Sequence, residues 1–160
     1  MATRSTIALE YADGTVGQVY CHWDGYLDYN GKILLDHYSN PFILRDLMDL
    51  GDVSSLRPTI GVKHAFSQFD LPKEEVEEFV KLTEDMCTFY GRDRGESGTG
   101  QRMFKDYESY VSEHQHEEYE YILRRDGQWY VKCHSAPYVL LGDALAEALR
   151  EGAEEETLAA

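Results

Sequence analysis

The sequence predicts an α+β domain, in which an antiparallel sheet is packed with about four to five α-helices. Two Asp-Gly dipeptides, at 13–14 and 126–127, separate segments of alternating residues, and this pattern is typical of β-hairpins. Amphipathic helical patterns fill the chain between and after them. Because hairpins connect the strands, without regular strand–helix–strand crossovers, the fold class is α+β.

Length and composition support one folded unit. The chain has 160 residues, of which 42 % are hydrophobic and 12 % aromatic, too many apolar residues for a disordered acidic chain. We expect a single domain over residues 1–152 and a frayed acidic tail over 153–160.

The first hairpin is predicted over Thr6–Tyr11 and Thr15–His22. A two-residue turn pairs Ala12 with Thr15, and this register predicts one core-facing set: Ile7, Leu9, Tyr11, Val16, Tyr20 and His22. The second hairpin is predicted over Glu118–Arg125 and Gln128–His134, again with a two-residue turn. Aromatic residues lie on both of its predicted faces, one with Ile122, Trp129 and Val131, the other with Tyr119, Tyr121, Leu123 and Tyr130. We therefore expect the second hairpin to be covered on both sides.

The helices are predicted where apolar residues recur every three or four positions. They are Gly31–Tyr38, Phe42–Leu50, Pro72–Glu84, Phe104–His114 and a last helix that opens at Ser135-Ala136-Pro137 and ends near Gly152. Pro41 separates the first two of these, because a proline disfavours a helical residue before it. Met86–Tyr90 is predicted as a third strand and Gly91–Gly100 as a mobile loop.

Negative charge extends over the whole chain. Residues 1–80 carry 13 acidic and 6 basic side chains, residues 81–160 carry 17 and 9, and the net charge is −15. A globular chain of this length is about 40 Å across, and duplex DNA of that length carries about 24 phosphates. The charge argues against direct binding of nucleic acid and favours a protein that itself binds nucleic acid as the partner. A charge that serves solubility alone is the ordinary alternative.

An acidic tract is the strongest candidate for a protein-binding site. Carboxylates interleaved with tyrosines can meet a Lys/Arg groove and still bury apolar area. The tract residues are Asp106, Glu108, Glu113, Glu117, Glu118, Tyr119 and Glu120. The helix predicted from Pro72 adds a second acidic row with Glu74, Glu75 and Glu78.

Two other segments offer alternative ligand sites. Arg92, Arg94 and Arg102 flank a glycine-rich stretch whose amides and guanidinium groups suit a phosphate, although the stretch lacks the Lys-Ser/Thr end of a P-loop. The string YCHWDGY either ends the first hairpin with Trp23 at the core edge or forms a small pocket with His22, Asp24 and Tyr26 at its mouth. The first alternative is an anti-defence protein that sequesters a nucleotide signal through the Arg92–Arg102 loop, and the second is a small enzyme that uses His22 and Asp24.

No metal site and no cofactor are expected from the sequence. Cys21-His22 and Cys133-His134 end the two hairpins, but adjacent strand residues point to opposite faces. His114 and His116 are close in sequence, yet no CxxC or HxxxH spacing accompanies them. Three cysteines, an odd number, favour a reducing cytoplasm, and no apolar run is long enough to span a membrane.

The strings RSTIALEY at 4–11, YCHWDGY at 20–26 and GKILLDHY at 31–38, together with 50–56 and 90–96, carry a resemblance. In them the chain resembles a family of small acidic proteins from bacteriophages and other mobile elements. The resemblance implies no activity and no site residues, but it implies a setting in the cytoplasm of a bacterial host. By analogy with inhibitors that imitate DNA charge, we expect a non-enzymatic inhibitor of a host defence complex of the CRISPR or restriction type.

Overall fold

Eight strands form one sheet in the computed structural model, which describes residues 2–159 and the side chains of residues 2–153. The strands are β1 Ser5–Glu10, β2 Val16–Cys21, β3 Val53–Ser55, β4 Thr88–Phe89, β5 Arg102–Phe104, β6 Tyr119–Leu123, β7 Trp129–Cys133 and β8 Val139–Leu140. Their order is β4-β3-β2-β1-β6-β7-β8, and β5 also pairs with β2. The α+β class predicted from the sequence is confirmed.

In the described part of the chain six α-helices accompany the sheet: α1 Lys32–His37, α2 Pro41–Asp49, α3 Val76–Thr83, α4 Tyr90–Arg94, α5 Tyr107–Glu113 and α6 Leu141–Ala159. The predicted break between the first two is confirmed: the Asn40 side chain accepts a hydrogen bond from the Phe42 amide at 2.9 Å, and Pro41 occupies the first turn of α2. Within the described residues, none of these helices is both long and apolar enough to cross a membrane.

The sheet is mixed, and this corrects the antiparallel sheet predicted from the sequence. β1 pairs with β2 and β6 pairs with β7 in antiparallel fashion, but β1 lies parallel to β6. β2 and β3 are also parallel where Cys21 meets Val53. Parallel neighbours require a long crossover, which the chain between β2 and β6 supplies with its helices.

The register of both hairpins differs by one residue from the prediction. Ile7 pairs with Val19, and Tyr11 and Thr15 close a three-residue loop in which Gly14 has a φ of +91°. The second hairpin has the same loop length, with Gly127 at a φ of +79°. Such loops place glycine in the left-handed region. As a result Val16, Tyr20 and His22 do not share the face of Ile7.

Each face of the sheet has a core. The larger core packs the odd-numbered residues of β1 and β6 against α1, α2 and α6, with Ile7, Leu34, Leu44, Tyr121 and Leu141 fully buried. The smaller core lies on the other face under α5 and contains Ala8, Val16, Phe104, Tyr110 and Ile122. The expectation that the second hairpin is covered on both sides is confirmed.

The remaining differences lie in short elements. β3, β5 and β8 and the helix α4 are not among the predicted elements, and α4 occupies the first part of the predicted mobile loop. The last helix begins after β8 and continues past Gly152 to Ala159, so the predicted end at Gly152 is wrong. The side chains of 154–160 lie outside the described part of the chain, and the predicted acidic tail is not tested.

The segment 57–86, which we call the outer segment, contains no residue that is buried as a whole, although the His64 side chain is only 5 % exposed and Ile60 packs against the larger core. It leaves the sheet after Leu56, carries α3, and returns through a bridge between Thr59 and Met86. Its attachment therefore combines polar contacts with a small number of apolar ones.

The buried carboxylate of Glu10 joins the first hairpin to the second, and its contribution to stability is testable. Its buried carboxylate accepts hydrogen bonds from the Arg124 side chain at 3.0 Å and the Arg125 amide at 3.1 Å. Burial alone would raise the pKa of Glu10, but these bonds outweigh it and hold the pKa below the ordinary 4.5. We expect Glu10→Gln to lower the free energy of unfolding at pH 7 by about 2 kcal/mol.

The sign of the pH dependence follows from the lowered pKa. The stabilisation is present above the pKa of the unfolded chain and is lost as the pH falls through the lower pKa of the folded state. Urea unfolding at several pH values should show a smaller loss of stability on acidification in Glu10→Gln than in the wild type. Glu108→Gln, at an exposed position, is the control. Parallel acid dependence in the wild type and Glu10→Gln would contradict the prediction.

Candidate functional site

The acidic tract lies on and after α5. Asp106 caps the helix by accepting a hydrogen bond from the Ser109 amide at 2.8 Å, and this bond lowers the pKa of Asp106. Glu108, Glu113 and Glu118 are exposed, and Glu117 is half-buried. Within the described residues, no Lys or Arg forms an ion pair with any of these five carboxylates.

Helix α5 holds Glu108 and Glu113, and its cap Asp106, in fixed positions. Tyr110 is fully buried, its ring packs edge-on against Phe104, and its hydroxyl lies 3.0 Å from that of Tyr138. Tyr119 is half-buried and stacks on Tyr121, so only part of its ring is available to a partner. The tract is therefore an ordered surface.

Glu120 is not part of this surface, and this corrects its assignment as a protein-binding residue. Its side chain is fully buried on the α5 face of β6. His114 Nε2 and Glu120 Oε1 are in direct contact, His116 Nδ1 lies 3.4 Å from the same oxygen, and Lys132 Nζ lies 3.9 Å from Oε2. A buried carboxylate requires such neighbours, because its desolvation is costly.

The second acidic row lies in the outer segment. Glu74 and Glu75 form part of a short 3₁₀ turn, Glu78 lies in the first turn of α3, and all three are exposed. Exposed apolar side chains accompany them, with Phe69 at 87 % and Leu82 at 61 % exposure. This combination provides both charge and apolar area for a partner protein.

Arg92, which the sequence assigns to the alternative phosphate site, forms its hydrogen bonds with groups of the protein itself. Its guanidinium donates to the carbonyl oxygens of Ile60 at 3.0 Å and Cys87 at 3.0 Å, and to both carboxylate oxygens of Asp93. Asp93 also accepts from the His64 amide at 3.0 Å. These bonds join the outer segment to α4, so Arg92 has few donors left for a phosphate.

The other two arginines have separate surroundings. Arg94 pairs with Glu96 at 2.7 Å and lies over the ring of Phe66. Arg102 is exposed on β5, at the position that pairs with Gln18, and lies over the ring of Phe104. Each of the three arginines therefore has a different partner, and the structure does not support a phosphate site that they share.

His22 and Asp24 also have different partners. His22 Nδ1 lies 2.6 Å from the Tyr20 hydroxyl, and the His22 ring packs edge-on against Trp23. Asp24 has a φ of +58° and accepts a hydrogen bond from the Tyr26 hydroxyl at 3.4 Å. Within the described residues no hydrogen bond joins His22 to Asp24, so the geometry gives no acid–base pair.

The two hairpin cysteines occupy one row across the sheet. Cys21 pairs with Ser5, Ser5 with Tyr119, and Tyr119 with Cys133, so three strand spacings, roughly 14 Å, separate the two thiols. Burial raises the pKa of the Cys21 thiol to about 12, which keeps it protonated at neutral pH. The pair offers neither a shared metal site nor an activated nucleophile.

Comparison with protein-family models, with curated proteins and with solved structures finds no match to this chain. No residue role is therefore transferred from a relative. The acidic tract and the polar cluster around Glu120 are the two arrangements that the structure itself brings together.

The structural role of Arg92 is testable. Its side chain is 11 % exposed and Asp93 is fully buried, so Arg92→Lys loses several hydrogen bonds at a desolvated site. We expect the free energy of unfolding to fall by about 3 kcal/mol in urea titrations. Arg94→Lys, at the exposed pair with Glu96, should change it by less than about 0.5 kcal/mol. Similar small effects of both substitutions would show that the Arg92 bonds do not stabilise the fold.

Proposed function

We propose that the protein is a phage- or mobile-element-encoded inhibitor of a bacterial nucleic-acid-binding defence complex, of the CRISPR or restriction type. In this proposal its acidic surface occupies the Lys/Arg channel through which that complex binds DNA or RNA. The observation that carries the proposal is the acidic tract, whose five outer carboxylates lack Lys or Arg partners within the described residues. No catalytic step is part of the proposal.

The pairing of basic side chains with buried carboxylates supports this proposal. Arg124 and Arg125 contact buried Glu10, Arg92 contacts buried Asp93, and Lys132 lies near buried Glu120. Within the described residues, four of the 15 basic side chains therefore lie beside three interior carboxylates, although the Arg125 side chain remains 57 % exposed. Basic groups engaged in this way offset less of the acidic surface, which favours a cationic partner.

The rigidity of the acidic tract on α5 further supports the proposal that a partner protein binds there. A partner that binds ordered carboxylates on α5 does not have to immobilise a flexible chain, so less of the binding energy is lost to ordering. Neither alternative site gains comparable support, because Arg92 is engaged internally and His22 and Asp24 have separate partners.

A capture experiment tests the proposal directly. The tagged protein is incubated with nuclease-treated bacterial lysate, and the retained proteins are eluted with excess duplex DNA or with single-stranded RNA. We expect a nucleic-acid-binding protein to be retained and then released by the nucleic acid, because the two ligands compete for one channel. Retention that excess nucleic acid leaves unchanged would contradict the proposed mode of binding.

Binding to the captured partner should depend strongly on salt. Exposed charges are screened within about 10 Å at 0.1 M ionic strength, so we expect affinity to fall at least tenfold between about 0.05 M and 0.3 M NaCl. Titration calorimetry at several salt concentrations measures this. Constant affinity over that range would rule out an electrostatic contact as the main source of binding.

Charge reversal distinguishes the tract from net charge alone. Glu108, Glu113 and Glu118 are exposed, and we expect their joint replacement by Lys to weaken binding by about a hundredfold. The matched control reverses Asp143, Glu147 and Glu151, which are exposed on α6 and change the net charge equally. Circular dichroism verifies that both variants fold. Equal losses in the two variants would show that only the total charge matters.

A further inference from the structure

Three side chains with metal-binding atoms meet where α5 ends and β6 begins. His114 follows the last residue of α5, His116 lies two residues further along, and Glu120 is the second residue of β6. One atom from each of the three side chains lies within 4.8 Å of the other two. His114 and Glu120 are buried, whereas the His116 side chain is 62 % exposed. Two of the three side chains in the cluster are thus held in the protein interior, and the side of the cluster at His116 is open to solvent.

The hydrogen bonds of His114 direct its second ring nitrogen at the carboxylate of Glu120. Its Nδ1 lies 2.6 Å from the carbonyl oxygen of Tyr110, and a carbonyl can only accept, so Nδ1 carries a proton. In the neutral ring, Nε2 then presents a lone pair, and it faces the carboxylate oxygen Oε1 of Glu120. Two acceptors in contact repel each other unless a proton or a metal ion lies between them.

The surroundings of Glu120 are polar. Glu120 Oε2 and Thr6 Oγ1 are both buried without a hydrogen-bond partner among the described residues. Thr6 and Glu120 are register partners on the parallel strands β1 and β6. Lys132 Nζ lies 3.9 Å from Oε2, beyond hydrogen-bonding distance. The carboxylate therefore lies in a polar interior whose hydrogen bonds are incomplete.

The arrangement has the features of a transition-metal site. Two imidazoles and one carboxylate are ligands that zinc accepts, and a histidine ligand commonly donates its other N–H to a backbone carbonyl, as His114 does to Tyr110. Two ligand atoms of a tetrahedral zinc ion are roughly 3.4 Å apart, given Zn–N and Zn–O bonds of about 2.0–2.2 Å. His116 Nδ1 and Glu120 Oε1 are 3.4 Å apart. His114 and Glu120 would have to separate slightly to admit the ion.

We propose that His114, His116 and Glu120 bind one divalent transition-metal ion, with zinc as the best match. Glu120 binds through Oε1, the oxygen that both histidines face, while Oε2 remains beside Lys132. The fourth position lies on the exposed side of His116 and is open to water or to a group from a partner. The ion ties the end of α5 to β6 and so orders the part of the acidic tract that contains Glu117 and Glu118.

Zinc titration of the chelator-treated full-length protein tests the site. Calorimetry is performed with ZnCl₂ and, separately, with MgCl₂ on the wild type and on His116→Gln. His116 is exposed, so its replacement should leave the fold intact, as circular dichroism verifies. The matched control is His37→Gln, at an exposed histidine near the end of α1.

We expect one zinc ion per wild-type chain, at least tenfold weaker zinc binding in His116→Gln, and unchanged binding in His37→Gln. Zinc should also raise the melting temperature of the wild type more than that of His116→Gln, because a ligand that binds only the folded state stabilises it. Magnesium should bind at least tenfold more weakly than zinc, since it prefers oxygen ligands.

Three results would overturn the proposal. Absence of stoichiometric zinc binding would mean that a proton lies between His114 and Glu120 and that the cluster is a buried ion pair. Equal zinc affinity of the wild type and His116→Gln would place the zinc elsewhere on the acidic surface. Equal affinity for magnesium and zinc would indicate unspecific attraction by the net charge. The inhibitor proposal does not rest on this ion, so its tests remain separate.

Discussion

Three interior carboxylates within the described residues constrain how the elements of this acidic chain are joined. Glu10, Asp93 and Glu120 are buried, and each receives cationic or N–H partners from another part of the chain. Glu10 joins the two hairpins, Asp93 joins α4 to the outer segment, and Glu120 joins the end of α5 to the sheet. A buried carboxylate without such partners would destabilise the fold severely, so these contacts fix the positions of the elements they join. They also engage basic groups that would otherwise offset the acidic surface.

The sequence predicts local structure well where the pattern of apolar residues extends over many positions. The helices α1 and α2 and the break between them follow from apolar periodicity and Pro41, and the strand β4 lies within the predicted Met86–Tyr90. The strands β3, β5 and β8 have only two or three residues, too few for an alternation pattern. The hairpin registers shift by one residue because an Asp-Gly dipeptide fits a three-residue loop as well as a two-residue turn. The parallel pairing of β1 with β6 depends on contacts between distant parts of the chain.

Prediction of the candidate sites is limited in the same way, because the sequence does not show which distant residues come into contact. Exposure of Glu108 and Glu113 follows from the amphipathic pattern of α5, and the structure agrees. The sequence predicts exposure for Glu120 as well, because a carboxylate is seldom buried unless it is paired. Its partner Lys132 comes from β7, and only the folded sheet brings the two together. The proximity of His114 and His116 is visible in the sequence, but the third member of their cluster is identified only by the register of β6.

The outer segment has a consequence for the dynamics of the protein. None of its residues is buried as a whole. It is linked to α4 by the hydrogen bonds of Arg92 and Asp93 and by the ring of Phe66, which contacts Tyr90 and Arg94. Detaching it exposes little apolar core, so the free energy of such an opening lies well below that of global unfolding. Its amide hydrogens should therefore exchange with solvent faster than those of β1 and β6. A chain region that opens in this way can change sequence or length in evolution without disturbing the central sheet.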